Sequence, residues 1–458
     1  MPEFDPTRTL ARFALETRFE DLDEDLVRHV KRSMLDCIGV ALGGLDHPST
    51  EILLEHLREL GGVDQASVWG RGERLNVAQA ALVNGYMAHV LDYDDTFLPP
   101  DALLHVNATL LPAALAAAEW KVLPGRELIT AFAVGFETEA RIARAAGRTV
   151  LERGWHSSGV CGTFGSAVAA GRLVGLNESQ LCHALGVAGS QTSGSTDVLG
   201  SHTKAFQPGS AAQKGLVAAL LAGRGFTSSE RFLESRRGCF LGLFSEAPAV
   251  ERLTDGLGED WELRRAAFKA FACGIVAQPL MDGVVRLRNE HALRPEMVAS
   301  IEGRVHPFVL VPMGRREPRT GLEGKFSAFY GAAICLVDGT AGKPQFTDER
   351  VNDPVVVRLR QRVKIETDPS VAPHEAFVTI RLTDGRKLGV HVEHGKGTSL
   401  NPLTDQELRG KFEALAIPAV GSECAAAVLE TIGRLELVAD AGELARATVP
   451  QFVLSAES

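Results

Sequence analysis

The chain has 458 residues, of which 45% are hydrophobic, so it can bury one large core and a second, smaller one. Its 48 Lys and Arg residues against 58 Asp and Glu give a formal net charge of -10, without the basic excess with which nucleic-acid-binding proteins displace counterions. We therefore expect a globular protein that binds no nucleic acid, and that needs a few locally placed cations to bind an anionic molecule.

The N-terminal stretch MPEFDPTRTLARFALETRFEDLDED lacks the pattern of a secretory signal, and we find no run of the roughly 18 to 20 apolar residues that cross a bilayer. These features predict a cytoplasmic protein without a membrane partner. The 7 cysteines are scattered, with no C-x-x-C pair and no histidine at zinc-finger spacing. They are typical of reduced, buried thiols.

The first part of the chain has helical periodicity. Up to about residue 265, apolar residues recur at helical spacing, as in VAQAALVNGYMAHVL and ELITAFAVGFETEARIARAA. The segment from Pro402 onward opens with a threonine typical of a helix cap and returns to the same periodicity. Both segments are predicted to be helical.

Between these segments the pattern changes to a period of two. SIEGRVHPFVLV, RVKIETD, AFVTIRLTDG and KLGVHVEH alternate apolar and polar residues, and TDGR (383–386) is typical of a tight turn in a hairpin. The predicted fold class is mainly α: a large all-helical domain made of residues 1–265 and 400–458, with an inserted smaller α+β lid domain over residues 266–399.

The stretch HVLDYDDTF (89–97) places three acids where an apolar helix ends. If the helix continues to its end, His89, Asp92 and Thr96 share one face, while Asp94 and Asp95 point elsewhere. The alternative is that all three acids are solvated. DYDDT lacks the glycine and the downstream glutamate of a calcium loop, so no metal site is predicted.

Two further histidines lie near small residues. His105 precedes an alanine-rich helix, and GWHSSGVCGTFGSAVAAG places His156 and Ser158 ahead of a helix predicted to begin near Thr163. Its glycines permit close backbone approach, and amides at a helix start suit a carboxylate, although the spacing is not that of a dinucleotide-binding loop. The alternative for His156 is a histidine hydrogen-bonded within a loop.

Two lysines stand among apolar neighbours. Lys204 lies in GSHTKAFQPGSAAQKG, and Lys269 lies in RRAAFKAFACGIVAQPLMD, where the periodicity changes. Most lysines are surface residues, and that alternative stays open for both. Their setting also suits the binding of carboxylates.

The chain resembles the MmgE/PrpD superfamily, which comprises 2-methylcitrate dehydratases, cis-aconitate decarboxylases and iminodisuccinate epimerases. The resemblance spans almost the whole chain and is carried, in this order, by HVLDYDDT, HVNATLLPAALAAAE, GWHSSGVCGTFG, KAFQPGSAAQKGLVAALLAGRGFTSSE, KAFACGIVAQPLMD, PRTGLEGKFSAFYGAA, FTDERVNDPVV and NPLTDQELRGKF. It implies a helical domain with an inserted lid, a homodimer, and catalysis without metal or organic cofactor.

The resemblance also implies site residues. Those expected to be catalytic are Asp92, His105, His156 and Lys204, and those expected to bind substrate are Thr96, Ser158, Lys269 and Gln278.

This chain departs from the superfamily pattern at several of these positions. Phe97 replaces a histidine found in many members, and Gln278 and Gly274 stand where members carry a histidine after the second lysine. Asp94 stands where 2-methylcitrate dehydratases look more like D-aromatic-N-D-T, which argues mildly against that activity.

The implied function is a lyase or isomerase that abstracts a proton next to a carboxylate of a small di- or tricarboxylate, with a dehydratase as first choice. A cis-aconitate-type decarboxylase, an iminodisuccinate-type epimerase and a non-catalytic carboxylate-binding homologue are the alternatives. Proton carriers beside the lysines favour catalysis, because binding alone needs only the cations. We expect Asp92, His105, His156, Lys204 and Lys269 to line one cleft between the two domains.

Overall fold

The computed structural model describes residues 4–235 and 238–450. Its first part is built from helices that pack on one another, as the periodicity predicts. They are α1 (Pro6–Glu16), α2 (Glu24–Gly43), α3 (Pro48–Leu60), α4 (Val77–Val90), α5 (Asn107–Lys121), α6 (Gly125–Ala146), α7 (Thr149–Glu152), α8 (Ser157–Leu173), α9 (Glu178–Gly189), α10 (His202–Gly223) and α11 (Phe240–Phe244).

Helices α4 and α5 lie at the centre of this part. Both are apolar around their whole circumference, and nearly every residue of each is buried. A helix without a polar face has to be covered on all sides, which here is done by α2, α8 and α10. The candidate site residues next to the ends of α4 and α5 therefore lie near the centre of the helical part.

Glycines allow α4 and α10 to approach closely. A Cβ atom at Gly85 would lie 2.8 Å from the Cα atom of Gly209, and one at Gly209 would lie 2.4 Å from the carbonyl oxygen of Leu82. The two backbones thus touch at this crossing. It sets the end of α4, with His89, beside the start of α10, with Lys204.

The second part contains the longest strands. Its helices are α12 (Gln278–Glu290), α13 (Leu310–Met313), α14 (Gly321–Gly324), α15 (Ala328–Asp338), α16 (Asp348–Val351) and α17 (Pro354–Arg360), followed by α18 (Asp405–Gly433) and α19 (Gly442–Arg446). In chain order the strands are β1 (Ala66–Ser67), β2 (Arg74–Leu75), β3 (Asp95–Phe97), β4 (Ala266–Phe268), β5 (Val298–Val305), β6 (Val363–Thr367), β7 (Ala376–Leu382) and β8 (Lys387–Val392).

The four long strands form one sheet in the order β6-β5-β7-β8. β5 and β6 run parallel, and the other pairs are antiparallel. The segment 383–386 joins β7 to β8, with Gly385 at φ 90°, as the TDGR pattern predicts. The chain is thus mainly helical with a small sheet, in agreement with the mainly α class predicted from the sequence.

Buried apolar residues form two large clusters. The first belongs to the helical part and includes residues of α18 and α19, whereas the second holds most of the apolar residues of 271–382. The second cluster also takes in Val40, Tyr86 and Leu415 from α2, α4 and α18. The two parts therefore share a continuous apolar contact.

Helix α18 is capped by Thr404, whose partner in the capping box is Glu407. The helix is bent at Gly421, which has a φ of 84°. By length and hydropathy alone it could cross a membrane, contrary to what we expected from the sequence. It packs along α2 and contributes Phe412 and Val428 to the first cluster, as a core helix does.

A two-stranded ladder connects the two parts next to the candidate site. Strand β3, which follows the acidic stretch, pairs antiparallel with β4, so that Asp95 is opposite Phe268. The residue after Phe268 is Lys269. The ladder therefore places a lysine 177 residues further along the chain against the Asp92 turn.

Candidate active site

The acidic stretch forms a turn and does not continue the helix. α4 ends at Val90, Leu91 is its C-cap, and Asp92 has a φ of 51°, in the left-handed region. A residue with a side chain adopts this conformation only when surrounding contacts hold it there. The expectation of a helix up to Thr96 is therefore wrong, because the helix ends six residues earlier.

The Asp92 carboxylate lies between two buried lysines. Its Oδ1 atom is 2.8 Å from Nζ of Lys204 and 2.7 Å from Nζ of Lys269, which also donates to the Asp92 carbonyl oxygen at 3.0 Å. Burial would raise the pKa of Asp92, but the two ammonium groups hold it well below its usual range. Burial lowers the pKa of Lys204, whereas the nearby carboxylates raise that of Lys269 despite its burial.

His89 links this ion cluster to a second carboxylate. Its Nδ1 atom donates to Oδ2 of Asp94 at 2.7 Å, and its Nε2 atom accepts from Nζ of Lys204 at 2.8 Å. Asp94 is completely buried, and the nearby histidines and Lys269 keep its pKa low against the effect of burial. The expectation that Asp94 points away is therefore wrong, because the left-handed residue at 92 reverses the chain and turns Asp94 inward.

His105 is held by the strand that follows the turn. Its Nδ1 atom donates to the carbonyl oxygen of Asp95 at 2.7 Å and lies 3.4 Å from Oγ1 of Thr96, while its backbone N–H donates to Oγ of Ser158 at 2.8 Å. Burial lowers its pKa well below the usual value. The imidazole is thus neutral, with its proton on Nδ1 and a lone pair on Nε2.

His156 is the N-cap residue of α8, which begins at Ser157. Its Nδ1 atom donates to Oε1 of Gln207 at 2.6 Å, and the Gln207 amide is oriented by its own bond to the Ser195 carbonyl. Burial lowers the pKa of His156 to about 3, so it too is neutral with a lone pair on Nε2.

The glycines that follow His156 serve helix packing. The helix was expected to begin near Thr163, but Gly159, Gly162 and Gly165 lie inside α8. A Cβ atom at Gly162 would lie 2.4 Å from Thr109, and one at Gly165 would lie 2.6 Å from Glu139. These glycines therefore allow α5 and α6 to approach α8, and they form no loop around a ligand.

One cavity of about 590 Å³ brings the predicted residues together. Its polar lining includes Asp92, His105, His156, Lys204 and Lys269, as expected, together with Arg153, Ser195, Thr196 and Asp197. Its apolar lining includes Ile275, Val276, Phe308, Val311, Met313 and Phe326 from the second part, together with Leu103, Leu151 and Leu199 from the helical part. The cavity is thus lined by charged groups, most of them from the helical part (the charged end), and by apolar residues, most of them from the second part (the apolar wall).

Three residues expected to bind substrate do not line this cavity. Thr96 and Ser158 are fully buried and contact His105. The Gln278 amide is used up by backbone groups, since it accepts from Ala270 and donates to the carbonyl oxygens of Phe271 and Cys273. Their side chains orient the site and the chain around it.

From the sequence, His89 was placed on one face with Asp92 but was not among the expected site residues, and Arg153 and Gln207 were not identified. His89 shares the inward face of α4, so its three-residue spacing from Asp92 was a usable signal. No pattern in the sequence indicated Arg153, because it lies in the short connection between α7 and α8 and has no helical or strand periodicity. Gln207 follows Lys204 by one helical turn, but a glutamine on a helix is usually solvated.

His89, His105 and His156 could together hold a metal ion, since their potential ligand atoms lie within 4.8 Å of one another. Each donates its Nδ1–H to an outer acceptor, as metal-binding histidines do. However, Nε2 of His89 accepts from the Lys204 ammonium group. A metal ion at the three Nε2 atoms would have to displace a buried cation, so these residues are better suited to accept a proton.

Neutral histidines beside paired ammonium groups, all lining one cavity, are typical of the active site of an enzyme. The comparison with known proteins identifies the class more closely. Residues 8–252 match the MmgE/PrpD N-terminal domain and residues 271–437 match the MmgE/PrpD C-terminal domain. The chain belongs to the MmgE/PrpD family of enzymes.

Similar proteins include several cis-aconitate decarboxylases. The cis-aconitate decarboxylase of Mus musculus is 28% identical over 459 residues, which cover 96% of this chain and 92% of that protein. That of Aspergillus terreus is 28% identical over 443 residues (90% and 89%), and that of Homo sapiens is 27% identical over 442 residues (92% and 90%). The chain is thus related to these carboxy-lyases over nearly its whole length.

Proposed function

We propose that the protein is a carboxy-lyase that removes CO2 from a small unsaturated carboxylate of the cis-aconitate type. The cavity carries this proposal, because it combines a charged end with an apolar wall. The names of the relatives favour this alternative over the dehydratase that we expected first.

The two ends of the cavity suit a decarboxylation. A carboxylate that leaves as neutral CO2 is destabilised by apolar surroundings, such as those of Ile275, Val276 and Phe308. The carboxylates that remain bound need cations, which Arg153 and the unused N–H of Lys204 supply. A substrate that spans the cavity would place its leaving group at the apolar wall.

The charges at the polar end determine what else must happen when the substrate binds. Asp92 and Asp94 balance Lys204 and Lys269, and the histidines are neutral, so these groups taken together have no net charge. A substrate with more carboxylates than these cations can pair therefore adds negative charge beside His105 and His156. This charge raises the pKa of both histidines, so substrate binding takes up a proton.

The proton that is taken up serves the chemical step. For a β,γ-unsaturated carboxylate, the bond to the leaving carboxylate breaks, and its electron pair forms a new double bond as the old one shifts. The carbon at the far end of the old double bond takes the proton from Nε2 of His156 or His105, and CO2 is released. The imidazole returns to the neutral state that burial favours.

The test is proton NMR of the purified protein with cis-aconitate in D2O, with CO2 release measured in parallel. We expect a product that lacks one carboxylate and carries one deuterium per turnover. A panel with 2-methylcitrate and iminodisuccinate tests the alternatives. Elimination of water from 2-methylcitrate, or deuterium exchange without CO2 release, would replace decarboxylation by dehydration or epimerisation.

Gly274 supports a substrate different from that of members with a histidine at this position. It lines the cavity, and a Cβ atom there would lie 2.4 Å from the sulfur of Met313. Met313 thus occupies the space of a larger side chain at residue 274. An apolar group in place of a histidine favours a substrate with an alkyl group at this end, so the panel should include methyl-substituted tricarboxylates.

We also propose that the protein is a cytoplasmic homodimer, that residues 266–399 act as a lid, and that the reaction needs no metal or organic cofactor. The apolar wall contributed by the second part supports the lid, because closure of that wall removes water from the substrate. Light scattering coupled to gel filtration tests the dimer, and a mass of one chain, 49.1 kDa, would exclude it.

A further inference from the structure

Two buried lysines outside the cavity hold the turn that carries Asp92. The turn comprises Leu91–Asp94, and its first three carbonyl oxygens each accept a hydrogen bond from a different lysine: Leu91 from Lys325 at 2.6 Å, Asp92 from Lys269 at 3.0 Å and Tyr93 from Lys411 at 2.7 Å. The three lysines come from separate parts of the chain, so they fix the turn from several sides.

Lys325 and Lys411 occur in the same tripeptide. Each stands between a glycine and a phenylalanine, in 324–326 and 410–412, within two of the segments that carry the family resemblance. The first tripeptide begins at the last residue of α14, with Lys325 as the C-cap, and the second lies in α18. The repeated sequence thus contributes one ammonium group on each side of the turn.

Neither lysine touches the space in which a substrate binds. Lys325 is 5% exposed, and its Nζ atom donates to the carbonyl oxygens of Leu91 and Ala272. Lys411 is 9% exposed, pairs with Asp36 at 2.6 Å, and borders a second cavity together with Tyr93. Both therefore contact the turn through its backbone, and their charges also act on Asp92 and Asp94 through space.

The turn needs such support. Asp92 has the left-handed φ of 51°, and the last carbonyl groups of a helix have no partner inside the helix. Lysines near a helix C-terminus satisfy these carbonyls and interact favourably with the helix dipole. A buried ion pair such as Lys411–Asp36 is seldom needed for stability alone, since apolar residues can often replace both partners together.

We propose that Lys325 and Lys411 are positioning residues, which hold Leu91–Asp94 so that the Asp92 carboxylate stays between Lys204 and Lys269. The role of Asp92 in turnover rests on the proposed function, but the restraint of the turn does not. Loss of either lysine would release one end of the turn. A displacement of about 1 Å at such a group can cost on the order of 100-fold in rate.

The variants are Lys325→Met and Lys411→Met, which remove the ammonium group and keep the length of the side chain. Lys343→Met is the matched control, because Lys343 is a partly exposed lysine that pairs with Asp46. Since Lys411→Met leaves Asp36 buried without its cation, the double variant Asp36→Asn/Lys411→Met accompanies it. Both variants of residue 411 are compared with wild type in chemical unfolding.

Hydrogen exchange followed by mass spectrometry measures the turn without any need for activity. We expect the peptide that contains 88–97 to exchange about tenfold faster or more in both lysine variants and in the double variant, with no change in Lys343→Met. Unchanged exchange in a folded Lys325→Met and in the folded double variant would overturn the proposal. This result does not depend on which substrate the enzyme uses.

A kinetic double-mutant cycle tests the link to Asp92. We expect each lysine variant to lower kcat on cis-aconitate about tenfold or more, with KM changed less than about threefold. In an Asp92→Asn background the same substitutions should lower residual turnover less than about twofold. If each lysine substitution lowered turnover by the same factor in the wild-type and Asp92→Asn backgrounds, the lysines would act independently of Asp92.

The two readouts separate the two proposals. Faster exchange of 88–97 with no turnover of any carboxylate would sustain the restraint of the turn and defeat the carboxy-lyase. Turnover of cis-aconitate with unchanged exchange and multiplicative losses would sustain the carboxy-lyase and defeat the positioning role.

Discussion

His156 and Lys204 differ in what they offer a substrate. Gln207 fixes the Nδ1–H tautomer of His156, so its Nε2 atom can only accept a proton until charge arrives in the cavity. Lys204 keeps its proton in contact with Asp92 and His89. One residue is suited to proton transfer and the other to binding.

We therefore predict that His156→Gln lowers kcat about 100-fold or more with a small change in KM, because a proton carrier acts in the transition state. Lys204→Met should mainly raise KM, since a cation contacts the bound carboxylate before and during the reaction. Steady-state kinetics on cis-aconitate measures both. His291→Gln, at an exposed histidine, is the control. If His156→Gln kept nearly full kcat, the residue that transfers the proton would be His105 or Lys204 instead.

The histidine cluster gives a second prediction. Because Lys204 donates to Nε2 of His89, turnover should survive exhaustive treatment with EDTA within about twofold. Metal analysis of the active protein should find less than about 0.1 equivalent of any transition metal. Loss of activity in EDTA that one divalent ion restores would show that the three histidines bind a metal after all.

The crossing of α4 and α10 is the element on which the site depends. Its contact at Gly85 and Gly209 places His89 against Lys204, four and five residues from those glycines. No larger residue fits, since the nearest atoms at Gly209 belong to backbone that cannot move aside. The geometry of the ion cluster thus follows from the packing of two helices.

Gly209→Ala is accordingly predicted to lower the free energy of unfolding by about 1 to 3 kcal/mol through overpacking. It should also lower kcat by separating His89 from Lys204. Urea unfolding and steady-state kinetics check both effects. Gly433→Ala, in a helix where a Cβ atom meets nothing within 4 Å, should be nearly neutral. A fully active and stable Gly209→Ala would show that the helices can shift without cost.

Comparison of these elements with the sequence shows what periodicity can predict. The apolar helices and the alternating strands follow from which faces must be buried, so they were predicted correctly. The end of α4 was not, because the left-handed Asp92 is held by lysines 112 to 318 residues away. No local feature of the sequence indicates those contacts. Because the end of the helix was predicted wrongly, the orientation of Asp94 was predicted wrongly too. Gln278 was assigned to the substrate because of a family position, whereas backbone groups occupy its amide.

Burial of ionisable groups links the site to the stability of the whole molecule. Burial lowers the pKa values of His89, His105 and His156, so the unfolded chain binds more protons than the folded protein below pH ~6.5. These histidines therefore make the protein less stable as pH falls. Burial raises the pKa values of Asp95 and Glu139, which has the opposite effect because the folded protein then binds the extra protons. The pH dependence of wild-type stability is thus the net result of two groups of residues, these histidines and these acids, whose effects have opposite signs.

Removal of one histidine separates these effects. The pKa of His156 is about 3 in the folded protein against ~6.5 when unfolded, so it costs stability progressively as pH falls through this window. We predict that the free energy of unfolding of His156→Gln, relative to wild type, rises by about 1.4 kcal/mol per pH unit from pH ~6 down to pH ~4. Urea unfolding at half-unit intervals measures this slope, and His291→Gln should run parallel to wild type. A constant difference between His156→Gln and wild type over this range would mean that folded His156 already carries a proton, and the imidazole could then act as an acid without waiting for substrate.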